Sequence, residues 1–302
     1  MADGRGPPRA RARRLPNVSP PPAPGPAARR WRSLVRARRA EIERLVPGRT
    51  PRGTGYWDQR AERLAERMTA SPEGDPFLAR LRRLTGSRTT VLDVGAGPGR
   101  FSLSLAPDVA QVVAVDPSPA MLAILRRRAE RTRVTNVVTV EGRWEDVDVA
   151  PADVVFASYV LPIVDDAPRF LAKLDASARR HVLLYLGAFS MDGILDPLWR
   201  HFHGRPRRPG PTWLDALDVL REMGIHTTVE VVEVRTHTRF SSLADAVEDH
   251  RDLLALPDDD DVRRRLGELL RMWLVSRGGQ LRLPVATLPA AVVRWRPAGS
   301  PR

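Results

Sequence analysis

"TTVLDVGAGPGR", residues 89–100, decides how the rest of the chain is read. A short, largely apolar run through Val91, Leu92 and Val94 stops at Gly95-Ala96-Gly97-Pro98-Gly99, and Arg100 opens a stretch of helical spacing. A strand covered on both faces of a parallel sheet has no polar side to alternate with, so it shows as a run of this kind. Glycines on alternate positions directly after it let the backbone turn through positive φ. They also leave bare main chain against which a ligand can lie at the next helix N-terminus.

The same grammar repeats downstream. "VVAV" at 112–115, "NVVTV" at 136–140, "DVVFA" at 153–157 and "HVLLYLG" at 181–187 are separated by helix-length stretches at about 100–107, 118–132 and 167–178. Short apolar strands alternating with helices predict an α/β fold: a doubly wound, mostly parallel sheet with right-handed crossovers. After the fifth strand come a polar, aromatic stretch (188–211), a helix at about 212–223, a strand at about 227–235, two helices in "SSLADAVEDHRDLL" and "DDVRRRLGELLRMWLVS", and a closing strand in "AAVVRWRP" at 290–297. Upstream, three helices precede the first strand: one from Trp31 with Leu34, Val35, Ile42 and Leu45 on one face, one at 55–68 and one at 75–84. Residues 1–30 are rich in Arg, Pro and Ala with little apolar surface to offset the entropy of ordering, and are expected to be disordered. The chain thus divides into that tail, helices at 31–85 expected to cover the active site, and a main domain at 86–302 with substrate elements at about 188–211 and 240–277.

The formal net charge is +13, but its distribution matters more than its size. Residues 1–53 carry 14 Arg against Asp3, Glu41 and Glu43, or +11, which leaves 35 basic against 33 acidic residues, or +2, for the remaining 249. The catalytic region is therefore almost neutral, and an open basic groove for nucleic acid is not expected there. The arginine-rich leader keeps an RNA tether open as a rival role. The absence of cysteine excludes disulfides, iron–sulfur clusters, thiolate zinc sites and a cysteine nucleophile. With no apolar stretch of ~18 residues, the sequence leads us to expect a soluble, cytoplasmic protein.

Asp116 closes the second strand, 21 residues after Gly95, where a carboxylate can accept from both hydroxyls of a ribose. The dinucleotide fingerprint G-x-G-x-x-G puts its third glycine where this chain has Arg100. The observed G-x-G-x-G resembles instead the first motif of class I S-adenosylmethionine-dependent methyltransferases. "LDVGAGPGRFSLSLA", "VVAVDPSPAMLAILRRRA" and "DVVFASYVLPIVDD" stand at that family's spacing. The resemblance implies a Rossmann-like seven-stranded sheet with an antiparallel last strand and S-adenosyl-L-methionine as cofactor. It implies that Asp93 lies near the methionine amino group, that Gly95, Ala96, Gly97 and Gly99 form the cofactor turn, that Asp116 meets the ribose, and that Pro117 and Ser118 lie beside the adenine. In "EGRWEDVDV" the family more often has an acidic residue directly after the glycine; here that residue is Arg143, so the adenine contact passes to the backbone at Trp144 or to the carboxylate of Glu145. Ser158 and Tyr159 are implied to face the transferred methyl group.

Each of these residues also has a structural reading: Asp116 as a helix N-cap, Trp144 as core, Ser158 and Tyr159 as strand-end residues. Methyl transfer from a sulfonium mainly requires positioning, and a base helps when the acceptor is a hydroxyl or a protonated amine. Tyr159, His201 and His203 are the candidates. His-x-His with no third ligand in the sequence does not make a metal site. Phe189, Met191, Leu198, Trp199, Phe202, Trp213, Met272 and Trp273 are expected to roof a closed pocket for a small, partly apolar acceptor, although each also suits core packing. A non-catalytic protein that binds the same cofactor is the remaining rival.

Overall fold

The computed structural model describes residues 24–47, 54–67, 72–187, 191–236 and 238–298. Three helices come first: α1 (Pro26–Leu45), α2 (Thr54–Arg67) and α3 (Pro76–Leu84). The alternating core follows as β1 (Thr90–Val94), α4 (Ser102–Leu105), β2 (Gln111–Asp116), α5 (Pro119–Arg131), β3 (Val137–Glu141), β4 (Ala152–Ser158), α6 (Ala167–Ala176) and β5 (Ala178–Gly187). The remainder comprises α7 (Met191–His203), α8 (Trp213–Glu222), β6 (Thr228–Arg235), β7 (Arg239–Phe240), α9 (Leu243–Leu253), α10 (Asp260–Trp273), β8 (Val275–Arg277), β9 (Gln280–Arg282) and β10 (Thr287–Trp295).

The main sheet has seven strands in the order β3-β2-β1-β4-β5-β10-β6. Strands β1 to β5 pair in parallel, and β10 runs antiparallel to both β5 and β6. The chain reverses its direction of travel across the sheet between β1 and β4, so the glycine turn after β1 lies at the switch point where ligands of open α/β sheets bind. Both faces are covered. Leu92 and Val94 enter one core layer with Trp31 of α1, Phe170 and Leu171 of α6, and Val219 and Leu220 of α8. Val91 enters the other with Phe77 and Leu81 of α3, Phe101, Phe156 and Tyr185. This two-sided burial is why β1 shows so little polar alternation.

A third core joins Leu195, Leu198 and Trp199 of α7 to Leu266 and Leu270 of α10, Ala246 and Val247 of α9, and Ile42 of α1. It includes Phe240 of a small sheet ordered β7-β9-β8. Of this lobe, the small sheet, α9 and α10 lie in the connection from β6 to β10, whereas α7 and α1 join it from elsewhere in the chain; the two ends of that connection meet, with Thr236 N–H donating to Ala286 O at 2.9 Å and Thr236 Oγ1 to Val285 O at 2.6 Å. The small sheet was not read from sequence, because strands of two or three residues are too short to show alternation. Helix α1 starts at Pro26, inside the stretch 1–30 expected to be disordered; proline is preorganised for the first helical turn, and Ala28 and Trp31 are already buried. Residues 1–23 lie outside the described residues. Among the described residues no helix is long and apolar enough to cross a membrane.

Candidate functional site

The turn after β1 is held by its neighbour strand. Gly95 N–H and Ala96 N–H both donate to Val115 O, at 2.8 and 3.0 Å. Gly95, Gly97 and Gly99 all have positive φ, +76°, +54° and +85°, a region that disfavours any Cβ. Their surroundings differ. A Cβ on Gly95 would stand 2.2 Å from Val160 Cγ2, and one on Gly99 would stand 2.7 Å from Leu125 Cγ. A Cβ on Gly97 would meet nothing within 4 Å. Gly95 thus admits the loop after β4, Gly99 admits α5, and Gly97 leaves open space beside bare backbone. In the dinucleotide fingerprint the third glycine permits close helix packing; here Gly99 does this one position earlier, which leaves position 100 free for arginine.

Asp116 braces the turn from the adjacent strand. Its Oδ2 accepts from Gly97 N–H at 2.8 Å and its Oδ1 from Ser118 N–H at 2.9 Å. The cap of α5 is Ser118, not Asp116: Ser118 Oγ accepts from Met121 N–H at 3.2 Å. Ser118 Oγ in turn donates to Asp58 of α2, whose carboxylate also accepts from Ala120 N–H at 3.3 Å. Asp93, at the end of β1, is 2% exposed and accepts from Ser102 Oγ at 2.6 Å. Burial, assisted by the charge of Asp116, pushes the Asp93 carboxyl up to about 7 against the pull of the Ser102 hydrogen bond. Asp116 is also raised, first by burial and then by the charge of Asp58, while its bonds from Ser118 and Gly97 act in the opposite sense. Three carboxylates beside a neutral bend make a place where a cation gains most.

Beyond β4 the chain enters the left-handed region at Tyr159, with φ +58°. Tyr159 N–H donates to Tyr185 O at 2.8 Å, and the two rings lie 5.0 Å apart. Tyr185 Oη donates to Asp75 Oδ1 at 3.0 Å, and Asp75 Oδ2 takes Arg100 at 2.8 Å. Tyr185 and Asp75 are buried, whereas Tyr159 is 44% exposed. Helix α1 lies over the same loop: Trp31 Nε1–H donates to Val164 O at 2.7 Å, and Arg39 pairs with Asp165 at 2.9 Å.

Other residues singled out in the sequence fall elsewhere. Trp144 is buried in the core below β4, its indole N–H on Phe170 O at 3.3 Å and Lys173 Nζ 4.6 Å from its ring centroid. Glu145 faces Arg143 at 3.9 Å; Gly142 N–H donates to Asp116 O at 3.1 Å, which keeps this loop beside the second strand's end. Pro117 is half-buried between Asp116 and Ser118, and Ser158 is the half-buried last residue of β4. His203 packs against the lobe, its ring tilted on Trp199 at 4.2 Å with Nε2 at 2.8 Å from Leu254 O; His201 is exposed and packs on Phe202. Neither histidine has a hydrogen bond or ring contact with the glycine turn or Tyr159. The expected roof does not form as one surface: Leu198 and Trp199 are core of the lobe, Trp273 packs against it, Trp213 joins the sheet core, and Met272 is 77% exposed. Phe189 and the side chain of Met191 lie outside the described residues. Asp58, Asp75, Arg100 and Tyr185 were not singled out. Asp75-Pro76 reads in sequence only as a helix start, and that is also one of its roles, since Oδ1 accepts from Phe77 N–H at 2.9 Å.

Residues 91–180 match the family model of a methyltransferase domain. An uncharacterized protein of Haemophilus influenzae is 31% identical over 217 residues, covering 70% of this chain and 75% of the relative. The malonyl-[acyl-carrier protein] O-methyltransferase of Xylella fastidiosa is 31% identical over 108 residues, 35% of this chain and 37% of that one. Phospholethanolamine N-methyltransferase 2 of Haemonchus contortus, solved with phosphomonomethylethanolamine and S-adenosylhomocysteine, shares the fold with a TM-score of 0.51 at 15% identity, over 87% of this chain and 60% of that one. With the sheet order, the glycine turn at its switch point and the domain match in agreement, the chain belongs to the class I S-adenosylmethionine-dependent methyltransferases.

Proposed function

We propose that this enzyme holds S-adenosylmethionine across Gly95–Gly99, with Asp116 on the ribose hydroxyls, Asp93 toward the methionine amino group, and the residues after β4 facing a small-molecule acceptor. The observation that carries the reading is the pairing of open space at Gly97 with a buried Asp116 carboxylate already bonded to that glycine's N–H. One carboxylate oxygen accepts from Gly97 N–H of the turn and the other from Ser118 N–H at the start of α5, and each keeps a lone pair for a ligand hydroxyl. The cofactor supplies a methyl group already activated on a sulfonium, so the residues of the chain have to align the acceptor and keep water out. The raised carboxyls of Asp93 and Asp116 suit a ligand that brings positive charge. Pro117 and Ser118, with Trp144 or Glu145 across from them, would flank the adenine, and Ser158 and Tyr159 the methyl.

A small acceptor is favoured over RNA by the use made of the basic leader. Within α1, Arg30 pairs with Asp215 at 2.9 Å, Arg32 with Asp166 at 3.5 Å and Arg39 with Asp165 at 2.9 Å, so these charges hold the fold together instead of forming a free arm. Calorimetric titration with S-adenosylhomocysteine is expected to give micromolar binding to the wild type and at least tenfold weaker binding to Asp116→Ala; equal binding by both, or by neither, removes the reading. Incubation with methyl-labelled S-adenosylmethionine and a fractionated lysate is expected to label the small-molecule fraction. Label in RNA, with salt-sensitive RNA retention that vanishes on deletion of residues 1–23, which leaves α1 in place, would establish the rival acceptor.

A further inference from the structure

Helix α2 has a small apolar seat: Ala61 and Ala65 lie against Met121 and Ile124 of α5, with Trp57 and Leu64 partly buried beside them. Alanines bury little area, so polar ties take a large share in holding the helix there. They lie toward both of its ends. Near the start, Asp58 accepts from Ser118 Oγ and, at 3.3 Å, from Ala120 N–H. Near the end, Arg128 of α5 donates from Nη2 to Ala65 O at 2.5 Å and from Nη1 to Pro98 O of the glycine turn at 3.3 Å. The first tie reaches the carboxylate proposed for the ribose, because Ser118 N–H donates to Asp116 Oδ1 at 2.9 Å. Asp58 and Asp116 thus hold one serine, by its hydroxyl and by its N–H, and the charge of Asp58 adds to burial in raising Asp116. Hydroxyls donated to Asp116 and the positive charge of a sulfonium disperse that repulsion, so a bound cofactor favours α2 in its seat.

The middle of α2 is tied to a different part of the molecule. Arg60 pairs with Asp252 of α9 at 2.5 Å, and the two side chains are only 17% and 12% exposed. A pair so covered differs from one in open solvent, since breaking it leaves charge with little access to water. Arg60 is pre-set for this partner: its Nη1 donates to Tyr56 O at 3.3 Å, and its guanidinium carbon lies 3.9 Å from the centre of the Tyr56 ring. Strand direction puts α9 at the matching edge of the sheet. Because β10 runs antiparallel to both β5 and β6, β6 runs the same way as β1 and β2. The connection that carries α9 leaves from the C-terminal end of β6, at the edge that also holds Gly95 and Asp116.

We infer that α2 couples the glycine turn to the lobe: Asp58 is a positioning residue for Asp116, and Arg60 transmits cofactor binding to α9, so that a cofactor on the turn orders α9. The inference rests on the cofactor reading above. Hydrogen exchange of the full-length protein, with and without saturating S-adenosylmethionine, reads the coupling without any acceptor. In the wild type the cofactor is expected to slow exchange in both α2 and α9, in α9 by about fivefold or more. In Arg60→Gln the slowing in α2 is expected to remain and that in α9 to be lost. Asp252→Asn, which breaks the pair from the other side, is expected to do the same. Asp58→Ala is expected to bind S-adenosylmethionine about tenfold more weakly, and Asp58→Asn, which keeps an oxygen for Ser118 Oγ and Ala120 N–H, to within about threefold of the wild type. Exchange in α9 that the cofactor leaves unchanged in the wild type, or slows as much in Arg60→Gln and Asp252→Asn as in the wild type, overturns the coupling. Wild-type affinity in Asp58→Ala, or an equal loss in Asp58→Asn, overturns the positioning role. Absence of cofactor binding to the wild type instead overturns the proposed function, and this inference with it.

Discussion

Burial lifts Asp93 to about 7, whereas the same side chain in an unfolded chain titrates near 3.8. The folded state therefore binds the proton more tightly than the unfolded state. Stability drawn from this residue is greatest at acid pH, falls as pH rises from about 4 to about 7, and is level above that window. Asp93→Asn keeps an oxygen for Ser102 Oγ and removes the buried charge. It is expected to stabilise the protein at pH 8 by on the order of 2–4 kcal/mol, with no gain at pH 4, in denaturant titrations at the two pH values. The same variant is expected to bind S-adenosylmethionine at least tenfold more weakly, and the wild type to release about half a proton per cofactor bound at pH 7, read by calorimetry in buffers of unlike ionisation enthalpy. The glycines separate binding from stability in another way. Gly97→Ala is expected to cost about 1 kcal/mol in stability from its φ alone and to abolish cofactor binding, while Gly99→Ala, which meets Leu125, is expected to cost about 2–3 kcal/mol.

At the scale of elements, α1 has two tasks. Its first half puts Trp31 and Val35 into the sheet core, and its second half puts Ile42 into the lobe. Between them Glu41, fully buried, accepts Arg205 and, at 3.0 Å, Arg208 N–H, and so ties α1 to the connection after α7. Glu41→Ala leaves these donors without their carboxylate and is expected to cost about 3–5 kcal/mol in chemical denaturation; a loss below 1 kcal/mol would show that water replaces it. The strands of the main sheet were legible in the sequence because two-sided burial forces apolar runs on them, and Gly95 and Asp116 because the turn and the neighbouring strand end must meet. The Tyr185–Asp75–Arg100 chain was not legible: Asp75 lies 25 residues from Arg100 and 110 from Tyr185, and no local pattern joins them. His201 and His203 stood out as a base pair in sequence, yet the helix that carries them turns His203 into the lobe. Trp144 took the core role that its size made available.

Across the described residues the sheet core and the lobe share α1, and Arg60 of α2, a helix packed on α5, pairs with Asp252 of α9 at 2.5 Å. One cooperative thermal transition is expected, with the calorimetric enthalpy equal to the van't Hoff enthalpy; two resolved transitions would mean that the lobe unfolds by itself. The placement of α9, α10 and the small sheet in the chain has a further consequence. Strands β6 and β10 are adjacent rungs of one ladder, with Arg235 opposite Thr287, and everything from β7 to β9 leaves and re-enters through that single doorway. A cassette of this kind can be lengthened or trimmed during evolution without rethreading the seven-stranded chassis, provided the faces it packs on α1 and α7 are kept. Lineages built on this plan are free to revise one side of the molecule while the glycine bend and its carboxylates stay as they are.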